Sequence, residues 1–213
     1  MDKSQNKIAL VKRIKNTAVQ YKKDIVGKTF LVLFEGKSVE IIFKVENFLH
    51  LCGVDTKLQA KDFYKKALKN QLTEKEIIFS KTHPYPLAEI KTKNLSRALS
   101  LMKNEAFMIT DITTQSHSYK IGTTDFQVVL CFDNQINASG QTVNNVLIPY
   151  SLRVEDINSN KYNNIYEIDF VLSKETGKKE YSFMEYGDIH KLSQYLKSHS
   201  IHDYNISVNP KAE

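Results

Sequence analysis

The sequence predicts an α+β protein, with N-terminal helices packed on a central antiparallel β-sheet. Three observations carry this. Apolar residues recur at helical spacing in three stretches before residue 105. From Phe107 onward the chain changes to short β-rich runs separated by polar loops. Helices therefore precede strands, without the regular alternation that builds a parallel sheet.

Residues 7–25 carry Ile8, Ala9, Val11, Ile14, Ala18 and Val19 at helical spacing, so a basic amphipathic helix is expected there, ended by Gly27. In KTFLVLFEGKSVEIIFKV, two β-rich runs flank Glu35-Gly36-Lys37-Ser38, a hairpin signal. Glu46–Cys52 reads as a short helix stopped by Gly53. A helix over 58–70 places Leu58, Phe63, Ala67 and Leu68 on one side, and Thr73–Glu76 resembles a capping box. His83-Pro84-Tyr85-Pro86 reads as a break before a helix over 92–104, with Leu95, Ala98, Leu99 and Met102 as its stripe. Strands are expected at Phe107–Ile112, Ser118–Ile121, Phe126–Phe132, Val146–Tyr150, Tyr166–Leu172 and Lys179–Glu185, with loops at Asn134–Asn144 and Asn158–Asn164. Lys174–Lys178 is a hairpin turn, and a last helix spans about 188–198.

At 213 residues, with no Pro- or Ser-rich linker and no internal repeat, one domain over 1–213 is expected. The 41% apolar and 25% charged content is that of a globular chain able to bury a core without staples. The longest apolar runs, Phe30–Phe34 and Val128–Phe132, are far short of the roughly 20 residues a bilayer-spanning helix needs. No signal-peptide core interrupts the Lys-rich N-terminus. With Cys52 and Cys131 as the only cysteines, a disulfide framework is not expected, and a cytoplasmic location is.

Charge is uneven. Residues 1–30 hold eight Lys/Arg against two Asp, residues 61–105 ten against five, and residues 106–171 three against seven. The net +6 suits a polyanionic partner through counterion release, although Lys-rich helices are commonly only solvated faces. No zinc ligand set, GxxxxGK[ST], GxGxxG or GxSxG pattern is present, so neither a cofactor nor a metal is expected.

Two groups of residues carry the chemistry. His50 sits on a short helix after a strand. It reads either as a core histidine satisfied by backbone or as a group titrating near pH 7. Ser151 and Arg153 lie two apart on a strand and so share a face, either as surface decoration after Pro149 or as a hydroxyl–guanidinium pair. Ser182 alternates with aromatic residues in EYSFMEY and faces either core or cleft.

The segments IIFKVENFLHLCGVD and LQAKDFYKKALKNQL resemble the opening of the phage barnase–EndoU–colicin–RelE-like nucleases. In that family a strand leads into a Phe-Leu-His-Leu-Thr-Gly helix, followed by a Lys-Asp-Phe-Tyr helix. VVLCFD, VLIPYSLRVEDI and YEIDFVLSK…KKEYSFMEY resemble its later strands, in the same order, over roughly Val19–Tyr186. The resemblance implies an α+β nuclease fold and metal-independent RNA cleavage. By position it makes His50, Ser151, Arg153 and Ser182 the catalytic candidates. Cys52 stands where the family has Thr, and Tyr150 where it has Asn.

RNA supplies its own nucleophile, the 2′-hydroxyl. His50 would serve as base or acid, Arg153 would clamp the phosphate, and the two serines would orient it. Lys44 and Lys120 are candidates for the second acid–base group, and Lys44, Lys61, Lys65 and Lys120 for contacts to nucleic acid. The expected function is that of a toxin or effector of phage or mobile-element origin acting on RNA, with a protein antitoxin among its expected partners. The alternative is a catalytically inactive inhibitor that uses the same fold to dock on a host nucleoprotein defence complex.

Overall fold

The computed structural model describes residues 3–114, 117–154 and 160–208. It opens with helix α1 (Lys3–Asp24), whose buried stripe is Leu10, Ile14, Ala18 and Tyr21, with Val11 beside it. Ile8 and Val19, expected in that stripe, are exposed. Tyr21 is the stripe residue that periodicity alone undervalued, because its ring is buried among Phe43, Phe48 and Tyr64. Its hydroxyl reaches the Lys44 carbonyl at 2.8 Å, so the polar tip is satisfied.

Strands β1 (Lys28–Phe34) and β2 (Lys37–Ile42) form the expected hairpin. Glu35 and Gly36 turn it with φ of 47° and 70°, the two positive values a tight two-residue turn requires. Helices α2 (Asn47–Cys52), α3 (Ala60–Leu68) and α4 (Tyr85–Ser100) follow, with a 3₁₀ turn at Glu74–Glu76 carrying the capping box. Helix α4 differs from expectation. Pro84 is its N-cap and Pro86 lies in its first turn, where a missing N–H costs nothing, so the Pro pair starts the helix seven residues earlier than expected.

Strands β3 (Phe107–Thr113), β4 (Ser118–Thr124), β5 (Val129–Ile136), β6 (Thr142–Arg153), β7 (Asn164–Glu167), β8 (Phe170–Glu175), β9 (Glu180–Tyr181) and β10 (Phe183–Tyr186) come next. Helix α5 (Ile189–Ser198), capped by the Asp188 side chain, and β11 (Asn205–Ile206) end the described chain. Nine strands form one sheet in the order β10-β8-β1-β2-β6-β5-β4-β3-β7. The hairpin from the helical half therefore lies inside the sheet and links its two wings. The pairing is antiparallel except between β2 and β6, which run parallel over Glu40↔Val146 and Ile41↔Leu147. The expected loop at Asn134–Asn144 is shorter, because β5 and β6 extend into it. The Glu155–Ile157 end of the VEDI segment and the start of the Asn158–Asn164 loop lie outside the described residues.

β1 is buried on both faces, which its unbroken FLVLF run reflects. Phe30, Val32 and Phe34 join the main core under α1–α4, while Leu31 and Leu33 meet Phe170, Leu172 and Leu192 under α5. Each such side chain contributes roughly 1.5–3 kcal/mol by leaving water. On the far wing, Ile109, Ile112, Tyr119, Val129 and Cys131 form a small cluster on the face away from the main core.

Candidate active site

β2 ends at Ile42, and its pairing with β6 stops at Leu147. Beyond that point α2 takes over the exposed edge of β6. Asn47 makes the junction. Its side-chain amide donates to the Pro149 carbonyl at 3.1 Å, while its oxygen accepts from the Lys44 N–H at 2.7 Å. Phe48, Leu51 and Cys52 face inward on α2, leaving His50 exposed. The core-histidine reading therefore does not hold for its position.

Helix α2 stops at Gly53, whose φ is 66°. A Cβ there would meet Lys91 Cδ at 2.5 Å, so the glycine serves both the left-handed turn and the close approach of Lys91. Lys91 comes from α4 and is only 5% exposed. Among the described residues it has no acidic partner. Burial, aided by the Arg153 charge, lowers its pKa to about 8. Cys52 and Cys131 oppose that shift weakly.

His50 has a lowered pKa through partial desolvation, then through the like charges of His83 and Lys91, with Asp55 opposing. His83 Nδ1 lies 2.8 Å from Asp55 Oδ1. The backbone of Asp55 pairs with Ile78, which draws the loop carrying His83 against α2.

On β6, Ser151 sits opposite Cys131 and Arg153 opposite Val129. Both point to the face of the far cluster, away from Leu152, which packs in the main core. A bulge leaves Tyr150 without an opposite residue and 52% exposed. Arg153 Nη2 donates to the Tyr119 hydroxyl at 2.7 Å, and its guanidinium lies 5.6 Å from that ring. Among the described residues its buried Nε has no hydrogen-bond partner. Lys91 links the two faces, since Arg153 acts on it and it acts on His50.

Asp55 thus pairs with His83 beside His50, and Lys91 lies between His50 and Arg153, while Ser151 and Arg153 themselves face the far cluster on the other side of the sheet. Among the described residues, no group of three or more His, Cys, Asp or Glu side chains is placed to hold a metal.

The other sequence candidates are dispersed. Ser182 lies between β9 and β10 in a pocket with Lys178, Lys179 and Glu180. Strands β8, β1 and β2 separate β10 from β6, roughly 19 Å along the sheet. Lys120 follows Tyr119 on β4 and so points to the opposite face. Lys44 is exposed just before α2. Lys61 pairs with Glu46 at 3.1 Å and Lys65 with Asp62 at 3.8 Å, both at the surface. Sequence reasoning missed Lys91, His83 and Asp55. A signal for Lys91 existed: extending the α4 stripe back from Leu95 by helical steps reaches Lys91 and Ala88.

Helices before a mostly antiparallel sheet give the α+β class, with titratable groups beside the end of α2. A model of the phage-Barnase-EndoU-ColicinE5/D-RelE like nuclease 4 family matches residues 13–190, from within α1 to the start of α5. The chain belongs to that family. Neither the curated proteins nor the solved structures give a match to it. No helix among the described residues is long and apolar enough to cross a membrane.

Proposed function

We propose that this nuclease is a metal-independent endoribonuclease of phage or mobile-element origin. The observation that carries the reading is Lys91, a buried ammonium with no carboxylate partner among the described residues, placed beside the exposed His50. At neutral pH the lowered pKa leaves His50 mostly unprotonated, while Lys91, at about 8, still holds its proton. That is the division of states a base and an acid need.

In this reading His50 takes the proton from the RNA 2′-hydroxyl. The 2′-oxygen attacks phosphorus, and the bond to the 5′-oxygen breaks. The leaving 5′-oxygen takes a proton from Lys91, giving a 2′,3′-cyclic phosphate and a 5′-hydroxyl. Arg153 stabilises charge on the non-bridging oxygens through its guanidinium charge. Ser151 supports the phosphate side of β6, and Ser182 falls outside the step.

The test is incubation of total RNA with the protein in EDTA. The wild type should cleave, and His50→Ala should lose cleavage by at least about 10²-fold while keeping its unfolding free energy within about 1 kcal/mol. Cleavage that requires added Mg²⁺, or that survives in His50→Ala, would overturn the assignment. RNA bound but left intact by the wild type would favour the inhibitor alternative.

A further inference from the structure

A cavity of about 440 Å³ is lined, among the described residues, by Asn6, Lys7, Phe79 and Tyr85. It adjoins the His50 cluster through the chain itself. Phe79 follows Ile78, whose backbone pairs with Asp55, and Tyr85 stands two residues after His83. The Phe79 and Tyr85 rings meet edge to face, with centroids 5.4 Å apart at 85°. This braces each ring while leaving both partly exposed. The Lys7 ammonium lies 5.5 Å from the centre of the Phe79 ring.

We propose that this cavity is a subsite for one unstacked nucleobase of single-stranded RNA, with the adjoining phosphate directed to the His50 cluster. The inference rests on the ribonuclease reading above. A braced aromatic ring offers a π-face to any base. The Asn6 side chain carries both donor and acceptor and can meet the polar edge of a base. The volume lies within the roughly 300–1,000 Å³ of small-molecule pockets. Charge selects a nucleotide over an apolar peptide side chain. Lys7 stands at the cavity, and the exposed Lys75 and Lys81 flank the segment bearing Phe79; among the described residues neither has an ion-pair partner. Asn6 and Lys7 belong to α1 and the aromatic pair to the approach to α4, so the subsite ties the basic N-terminal helix to substrate positioning.

The probe is a fluorescein-labelled eight-nucleotide 2′-O-methyl RNA, which lacks the nucleophile and stays intact, compared with the same backbone made abasic. Fluorescence anisotropy with the full chain reads both affinities. The intact oligonucleotide should bind roughly 5- to 100-fold more tightly than the abasic one. Phe79→Leu and Tyr85→Leu, which keep apolar bulk, should lose most of that preference without changing the salt slope. Equal affinity for the two oligonucleotides would overturn the proposal, as would full preference in both leucine variants. Cleavage of unmodified RNA is scored separately. Base-dependent binding without cleavage removes the ribonuclease reading and keeps the subsite, while cleavage with base-independent binding does the reverse.

Discussion

Lys91 holds its charge in a place where water would normally be needed to hold it. Its pKa falls from 10.5 to about 8, chiefly because burial disfavours the ammonium. The folded chain therefore gives up this proton near pH 8, while the unfolded chain keeps it to about 10.5. Between those values the unfolded state binds more protons, so stability rises with pH across the interval. Below pH 8 both states are protonated and the full cost is present, about 3 kcal/mol at most for a shift of this size. Lys91→Met should accordingly be more stable than the wild type at pH 7 by about 1–3 kcal/mol. The gap should close as pH rises from 8 to 10.5, as read by urea unfolding at several pH values; a variant less stable at pH 7 would contradict the cost assigned to the buried charge. The same residue should set the alkaline limb of kcat/KM near pH 8, with the acid limb below 6.5 from His50. In Lys91→Met the residual rate should show no alkaline limb, and an unchanged bell would remove Lys91 from the chemistry. His50 was legible in the sequence because a strand, a short helix and a glycine stop bracket it. Lys91 was not, because lysine in AEIKTKNLSRALS reads as solvent-facing until the helix is known to begin at Tyr85.

The site is assembled by elements that are far apart in the chain, and that is where sequence reading reaches its limit. Periodicity identified α2, α3, the β1–β2 hairpin and most later strands, since each depends on its own apolar pattern. It could not reveal that β2 pairs parallel with β6 for only two residue pairs. Nor could it show that α2 then covers the edge that β2 leaves. Short apolar runs specify a strand but not its neighbour. The Pro pair misled for a local reason, because proline breaks a helix interior but starts one equally well. The junction itself rests on Asn47, which bonds at once to Lys44 and Pro149. Asn47→Ala should cost about 1–2 kcal/mol, two modest hydrogen bonds. It should also reduce kcat more than KM, because α2 would no longer hold His50 in register with β6. Calorimetry and RNA-cleavage kinetics on one preparation would check both. Full activity in Asn47→Ala would mean that the hydrophobic contacts of Phe48 and Leu51 suffice to seat the helix.

For the whole molecule the question is where a polyanion lies. The excess positive charge resides in the helical half, but its lysines are not equivalent. Lys66 pairs with Glu76, Lys93 with Glu89 and Lys103 with Asp24, so these are partly neutralised within the fold. Lys12, Lys22, Lys23, Lys69, Lys75 and Lys81 are exposed, and among the described residues none has an ion-pair partner. Exposed pairs such as Lys61–Glu46 are worth little and exchange readily for phosphate, so those lysines remain available. For single strands, log K falls with log[salt] at a slope of about −0.7 per phosphate contacted. Four contacts, Lys75 and Lys81 among them, would give a slope near −3. Affinity would then fall roughly 50-fold between 50 and 200 mM salt. The double variant Lys75→Gln/Lys81→Gln should make the slope shallower by about 1.4. Lys178→Gln/Lys179→Gln, at the β8–β9 turn on the opposite wing of the sheet, should leave it unchanged. If instead the second pair governs the slope, RNA runs past Ser182 and the β10 edge, and the His50 cluster is not where the phosphates bind.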